Sequence, residues 1–483
     1  MLFNSIEFII FLLIIYSLYW FGFKDNRRKQ NILLLIGSYI FYGWWDWRFV
    51  SLLLLSTLID YSFGLLIHKI EDIKRRKLFL WLSIFNNLII LCIFKYYNFF
   101  AQSFQDLFEG MGFHVSPYLI TVALPVGISF YTFHGMSYVF DIYNKKTTPT
   151  KAFVDYALFV SFFPLLVAGP IERATHLLPQ ICKPRIFNYT QSVHGLRLIL
   201  WGLFKKIVIA DSLASLVDRI FSNYDTMSGL SLILGAFFFA VQIYGDFSGY
   251  SDIARGTAKL FGFELLINFK FPYFSRDIAE FWRRWHISLS SWFRDYLYIP
   301  LGGSKQGVVK AVRNTFIIFL VSGFWHGANW TFIFWGGLHA LYFMPLLLLK
   351  RNRKNTGEIA PNSALPGFKE AINILLTFVI VCIAWIFFRA NSINEAFNYI
   401  AGVFTHPLLN GAEVQLYKTY LYLPLVFLPL IIVEWKSRNQ EDIVHFFDSM
   451  NNSYVRYATY FAVFFMIFMF GSFEETAFIY FQF

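Results

Sequence analysis

The chain has 483 residues, 57% of them hydrophobic and 21% aromatic, with only 15% charged and a mean hydropathy of +0.51. A soluble domain carries roughly 25% charged residues, so composition excludes both a soluble protein and a soluble domain on one anchor. The formal charge of +11 does not point to nucleic acid, because the basic residues sit in short loops and no basic segment is long or joined to a recognition fold.

Apolar runs of about 20 residues recur along the chain, and each is long enough to cross a bilayer. They are continuous rather than alternating, which predicts helices and not barrel strands. The first run, 4–22, carries Glu7 and no early positive charge, so it reads as a retained helix and not as a cleaved signal peptide. Basic residues at 24–30, 69–77, 145–146, 350–354 and 435–438 mark one side of the membrane. The stretches 101–117 and 391–417, without Lys or Arg, mark the other. Under the positive-inside rule the spans 4–22, 31–46, 49–68, 78–99 and 118–141 alternate, with the N-terminus outside. At the other end 371–390, 418–435 and 455–471 alternate likewise. An even number of spans must lie between Lys146 and Lys350, so the total is even, about 12, with the C-terminus also outside. The expected fold is an all-α polytopic membrane protein. A single integral-membrane domain, 1–483, is expected, with N-terminal helices over 1–144, a core that carries the chemistry over 145–350 and C-terminal helices over 351–483.

The centre is less regular. Pro164, Gly169 and Pro170 break the apolar piece 161–173, and Gly245, Asp246, Gly249 and Asp252 interrupt 245–265. Non-helical backbone at membrane depth survives only where protein or a wet cavity covers it. Both pieces are therefore expected to be re-entrant or broken segments around a central cavity or funnel. The stretch 276–303 mixes charges with tryptophans. Trp282, Trp285, Leu289, Trp292 and Tyr296 are spaced for one helical face, and Arg276, Glu280 and Arg284 can pair along another. That predicts one amphipathic helix, at the membrane surface or edge-on inside a funnel, ended by the sequence PLGG.

Of ten histidines, His68, His114, His176, His406 and His445 read as loop or helix-end residues, and His194 lies near a helix start. His134, His286, His326 and His339 lie in or beside apolar sequence. An imidazole in hydrocarbon is costly unless it is paired, solvated or used. His326 stands in the charge-free run Thr315–Leu349, among Ser322, Gly323, Gly327 and Ala328. Small residues there leave room either for a ligand or for a close helix contact. His339 follows 13 positions on, about 220° around a helix, so the two would not share a face; His339 reads as structural. His286 follows FWRRW and reads either as an interfacial histidine or as a polar group at the end of a charged funnel. Cys92, Cys182 and Cys382 form no CxxC and no His/Cys cluster, so neither a disulfide framework nor a metal site is expected.

Long blocks cover nearly the whole chain: LPVGISFYTFHGMSYVFDIY (124–143), FFPLLVAGPIER (162–173), GLFKKIVIAD (202–211), YGDFSGYSDIARG (244–256), RDIAEFWRRWHISLSSWFRDYLYIPLGG (276–303), FWHGANWTFIFWGGLHA (324–340) and AWIFFRA (384–390). In this order they resemble the membrane-bound O-acyltransferase (MBOAT) family, closest to its bacterial branch of alginate and peptidoglycan O-acetylation proteins. The resemblance implies a catalytic role for His326, in the WHG block, and a second active-site role for His286, in WRRWHIS. It implies an O-acetyltransferase of the bacterial cytoplasmic (inner) membrane, with no bound cofactor and acetyl-CoA as the donor on the cytoplasmic side. The acceptor would be a hydroxyl of an extracytoplasmic polysaccharide. An SGNH/GDSL-like protein with a Ser-His-Asp site would be the partner that carries the acetyl group.

The residues suit that chemistry. Acyl transfer from a thioester to a hydroxyl needs a base, and an imidazole titrating near about 6.5 is matched to neutral pH. Arg283, Arg284 and Arg294 are candidates for meeting the donor's phosphates; pairing with Glu280 and Asp295, or snorkelling to headgroups, is the competing reading. The competing functional class is a multi-pass transporter or flippase that uses buried histidines to relay protons.

Overall fold

The computed structural model describes residues 1–120, 124–361, 363–473 and 478–479, without the side chains of 412 and 414–416. Among the described residues all regular structure is helical. Residues 1–195 with 257–266 form one compact unit, and residues 196–256 with 267–483 form another. Seven helices among the described residues are long and apolar enough to cross a membrane, and Ile6–Gly22 is a shorter apolar one.

The first unit opens with α1 (Ile6–Ser17), whose first turn is capped by the Ser5 hydroxyl accepting the Phe8 N–H at 3.2 Å. Then follow α2 (Arg27–Gly43), α3 (Arg48–Lys69) and α4 (Ile73–Leu91), which runs through a π-helical turn into α5 (Tyr97–Gly110). The sequence 118–141 suggests a span, but the helix there, α6, covers Ile128–Tyr143; residues 121–123 lie outside the described ones. Next come α7 (Phe153–Ser161), the single turn α8 (Phe163–Leu166) and α9 (Ala174–Cys182). The break expected at 161–173 is present: α7 and α8 part at Phe162, and the chain from Val167 to Arg173 is non-helical. Every residue from 161 to 173 is buried, so protein covers this backbone, as membrane depth demands.

Beyond it, α10 (Tyr189–Leu203), a π-helical stretch (Phe204–Ala210) and α11 (Asp211–Ser222) follow without a gap. The second unit then contains most of α12 (Gly229–Leu260). Here the structure corrects the sequence reading, since 245–260 continues a single helix of 32 residues. The glycines are points of close approach rather than breaks: a Cβ on Gly249 would press on the Gly202 carbonyl, and one on Gly245 on the Lys205 carbonyl. The carboxylates are paired inside the unit, Asp246 with Lys206 at 2.8 Å and Asp252 with Lys205 at 2.8 Å. Opposite charges satisfied by each other are tolerated in apolar surroundings.

The helix expected over 276–303 is also two pieces, α13 (Ile278–Arg284) and α14 (Ile287–Phe293), running on into a π-helical turn, Arg294–Tyr298. His286 sits between them with φ 42° and ψ 54°, so the aromatic positions do not form one face. Two backbone bonds hold the kink, Lys270 N–H to Arg284 O at 3.0 Å and Ile287 N–H to Asn268 O at 2.9 Å. The charged pairing stands: Glu280 bonds both Arg276 and Arg284 at 3.0 Å.

The charge-free run is a helical hairpin. α15 (Val308–His326) ends at the histidine, and α16 (Trp330–Leu348) starts after three residues. Asn329 caps it, its side-chain oxygen accepting the Thr331 N–H at 3.0 Å. The two helices touch backbone to backbone, because a Cβ on Gly323 would overlap the Phe332 carbonyl and one on Gly336 the Phe319 carbonyl. The chain closes with α17 (Phe368–Arg389), α18 (Ile393–Thr405), α19 (Val414–Thr419), α20 (Leu423–Ser437), α21 (Val444–Asp448) and α22 (Ser453–Phe470).

Candidate active site

His286 and His326, 40 positions apart in sequence, come together in the second unit with ring centroids 6.2 Å apart. His286 is 0% and His326 3% exposed. Each is presented at a helix end, His286 by the left-handed kink before α14 and His326 by the last residue of α15. Helix ends set side chains more freely than mid-helix positions, since the next residue is not bound to continue the spiral.

Rings wall the pair. Phe247 of α12 stands edge-on to His286 at 4.7 Å, and Trp325 lies 5.8 Å from it. Around His326, Trp335 is edge-on at 5.2 Å and Phe388 at 5.5 Å. Trp385 stacks behind Trp335 at 5.6 Å. Within this shell both His286 nitrogens and the indole nitrogens of Trp285, Trp335 and Trp385 have no hydrogen-bond partner among the described residues. Buried polar atoms are nearly always satisfied, so this cluster has the capacity to bond a polar group brought into it. Burial alone holds the His286 imidazole far below its usual range, at about 3, so the ring is neutral.

His339 lies on α16, not on the helix of His326, so helical spacing never related the two. It accepts the Trp282 indole N–H at 3.3 Å and packs on Trp335 at 4.8 Å. Among the described residues no group of three or more His, Cys, Asp or Glu could hold a metal ion. Of the small residues flanking His326, Gly323 serves the helix contact, and Gly327 lies against the Phe332 ring.

The three arginines are placed differently. Arg283 donates to the carbonyls of Asn352 and Asn355 at 2.9 and 2.7 Å. Arg284 pairs with Glu280 and also donates to the Lys270 and Arg438 carbonyls. Arg294 is 62% exposed and pairs with its neighbour Asp295 at 2.8 Å.

The sequence reading did not name Phe247, Trp335 or Phe388 as site residues, though all three fall in the motif blocks. Nor did it see how α12 is tied in. Lys206 bonds Asp211 at 2.7 Å as well as Asp246, and Asp246 also accepts the Ile479 N–H at 2.6 Å. Phe478, the residue before, packs on Phe247 and Tyr250 at 5.7 and 5.1 Å.

Known proteins share this chain's pattern. The sequence pattern of the membrane-bound O-acyltransferase family, MBOAT, matches residues 39–387. The probable alginate O-acetylase AlgI of Pseudomonas aeruginosa is 38% identical over 409 residues, 84% of this chain and 75% of that one. Its counterpart in Pseudomonas syringae pv. tomato is 40% identical over 408 residues, again 84% and 75%. The peptidoglycan O-acetyltransferase of Helicobacter pylori is 33% identical over 443 residues, 86% of this chain and 81% of that one. With the match spanning most of its length, the chain belongs to the membrane-bound O-acyltransferase family.

Proposed function

We propose that this protein is an O-acetyltransferase that moves acetyl from cytoplasmic acetyl-CoA across the bacterial inner membrane to hydroxyls of a surface polysaccharide. The acceptor is of the kind named for its relatives, alginate or peptidoglycan. The observation that carries the reading is the buried pair of imidazoles, His286 and His326, delivered to one point by separate helices. Both termini lie outside, and an extracytoplasmic SGNH/GDSL-like protein takes the acetyl group onward.

In the proposed step His326 accepts the proton of the acceptor hydroxyl as its oxygen attacks the thioester carbonyl. The carbon–sulfur bond then breaks, the acyl–oxygen bond remains, and the proton passes to the leaving thiolate. A base placed in this way contributes about 10²–10⁴-fold. His286, neutral, holds a reactant by a hydrogen bond. The aromatic wall excludes bulk water, which would otherwise hydrolyse the thioester. Coenzyme A stays on the cytoplasmic side, and Arg294, the exposed arginine of the three, is the first candidate to meet its phosphates.

The experiment is complementation of a deletion strain with wild type or His326→Ala, followed by measurement of O-acetyl groups on surface polysaccharide. Wild type should restore them and the variant should not, at equal amounts in the membrane. Normal acetylation by the variant would sink the reading.

A further inference from the structure

The first compact unit holds a cavity of about 430 Å³ lined by Tyr16, Trp20, Lys24, Asp25, Arg185 and Phe187, among others. Its chemistry is mixed in a particular way. Arg185 is 8% exposed, and all of its bonds go to neutral acceptors. Nε donates to the Tyr19 hydroxyl; Nη1 to the carbonyls of Ile181 and Lys183; Nη2 to the side-chain oxygens of Gln30 and Asn31. Among the described residues no carboxylate is hydrogen-bonded to it, and Asp155 reaches it only through space. The nearby Asp155 is shared between Asn31 and an ion pair with Arg27 at 3.0 Å. Lys24, at the mouth, makes no ion pair among the described residues. The pocket lining thus sets two cations, Lys24 and Arg185, against one carboxylate, Asp25. A buried guanidinium without a counter-charge is costly, and one added negative charge would balance the set.

A second observation says where that charge comes from. Ile10, Ile14, Leu18 and Phe21 are spaced 4, 4 and 3 apart, and all are exposed, Phe21 at 80%. They form an exposed apolar stripe down α1 and its π-helical end, and its last member, Phe21, lines the pocket. Ile186, which also lines the pocket, is 85% exposed. Apolar side chains leading to a basic, aromatic pocket at the end of a hydrophobic helix match a lipid with its headgroup at the interface.

We propose that this pocket binds an anionic glycerophospholipid with a hydroxylated headgroup, of which phosphatidylglycerol is the simplest. Its phosphodiester sits against Lys24 in the field of Arg185, its glycerol hydroxyls donate to the Asp25 carboxylate, and its acyl chains follow the α1 stripe. Asp25 is what selects the hydroxylated headgroup, since a bare phosphate would be repelled by it. The site stands apart from the histidine pair and does not depend on the proposed reaction.

The test uses the full-length protein in neutral detergent, offered phosphatidylglycerol, phosphatidylethanolamine or phosphatidylcholine, with bound lipid counted by native mass spectrometry. Phosphatidylglycerol should be retained best and should raise the unfolding temperature of the wild type. Lys24→Gln, at an exposed position, should lower its retention about fivefold, the weight of one interfacial cation against an anionic lipid. Lys77→Gln, at an exposed position in the basic N-terminal part of α4, is the control and should change nothing. Equal loss in both variants would mean diffuse attraction to the surface and would overturn the site. Phosphatidylethanolamine bound as well as phosphatidylglycerol would overturn the headgroup assignment.

Discussion

Within the second unit, α12 and the α15–α16 hairpin both carry polar groups into apolar surroundings, and they treat them in opposite ways. Along α12, Asp246 and Asp252 are matched by Lys206 and Lys205, with Arg255 bonded to Asp442 at 2.9 Å. Around the hairpin, His286, His326 and His339 are enclosed by indole and phenyl rings. Ion pairs fix a shape, because breaking one strands a charge. Imidazoles held among rings keep their proton chemistry available to a reactant. The contrast separates what holds the site from what would work in it.

The largest expected effect tests the working side. His326→Ala should lower acetyl transfer by about 10²–10⁴-fold with little change in unfolding temperature. A large loss of stability instead would place His326 with the ion pairs. The holding side comes next. Lys206→Met should cost about 3–5 kcal/mol, because Asp246 and Asp211 both lose their cation. It should show as reduced membrane level and early thermal unfolding, and adding Asp246→Asn should recover part of the loss.

His286 lies on both sides of the comparison, because its backbone is left-handed. His286→Asn keeps a residue that tolerates this geometry, whereas His286→Ile adds a backbone penalty of about 1–2 kcal/mol. Equal loss of turnover in the two, with lower stability only in the Ile variant, would separate the imidazole's chemistry from the kink. The smallest effect concerns a histidine that does have a carboxylate. His176 bonds the buried Glu172 at 2.8 Å, and that hydrogen bond raises its titration above the usual 6.5. Its contribution is complete below that value and is lost as pH rises through the raised one. With the ring 38% exposed, the contribution should stay under about 1 kcal/mol. His176→Gln should flatten that part of the stability–pH curve, and an unchanged curve would show the pair to be idle.

Several spans were legible from hydropathy, those at 49–68, 78–99, 371–390 and 455–471 among them, and the break at 161–173 from its prolines. The hairpin was not seen, because nothing charged divides Thr315–Leu349. Yet the signal was there in GAN, a helix stop and an N-cap in three residues. Without that break, spacing set His339 against His326 on a single helix that does not exist. The glycines of 245–256 misled in the other direction. Whether a glycine breaks a helix or lets another backbone approach depends on the neighbour, and only the fold supplies Gly202 and Lys205. The kink at His286 has no local sequence signature at all; it is held by Asn268 and Lys270, which lie on the far side of α13 in the chain. So the sequence named both histidines, and the folded chain alone shows them 6.2 Å apart.

One bond bears on how the protein is made. Asp246 receives the Ile479 amide from 233 positions further along, and Phe478 closes on the Phe247 ring that faces His286. Helices enter the membrane in the order they are synthesised, so α12 is in place long before this contact can form. The wall beside His286 is completed only after every helix through α22 has been threaded and packed. A chain stalled late in insertion would be full of native helices and still lack this wall of the candidate site. Closure of that wall therefore waits on residues that leave the ribosome after α22.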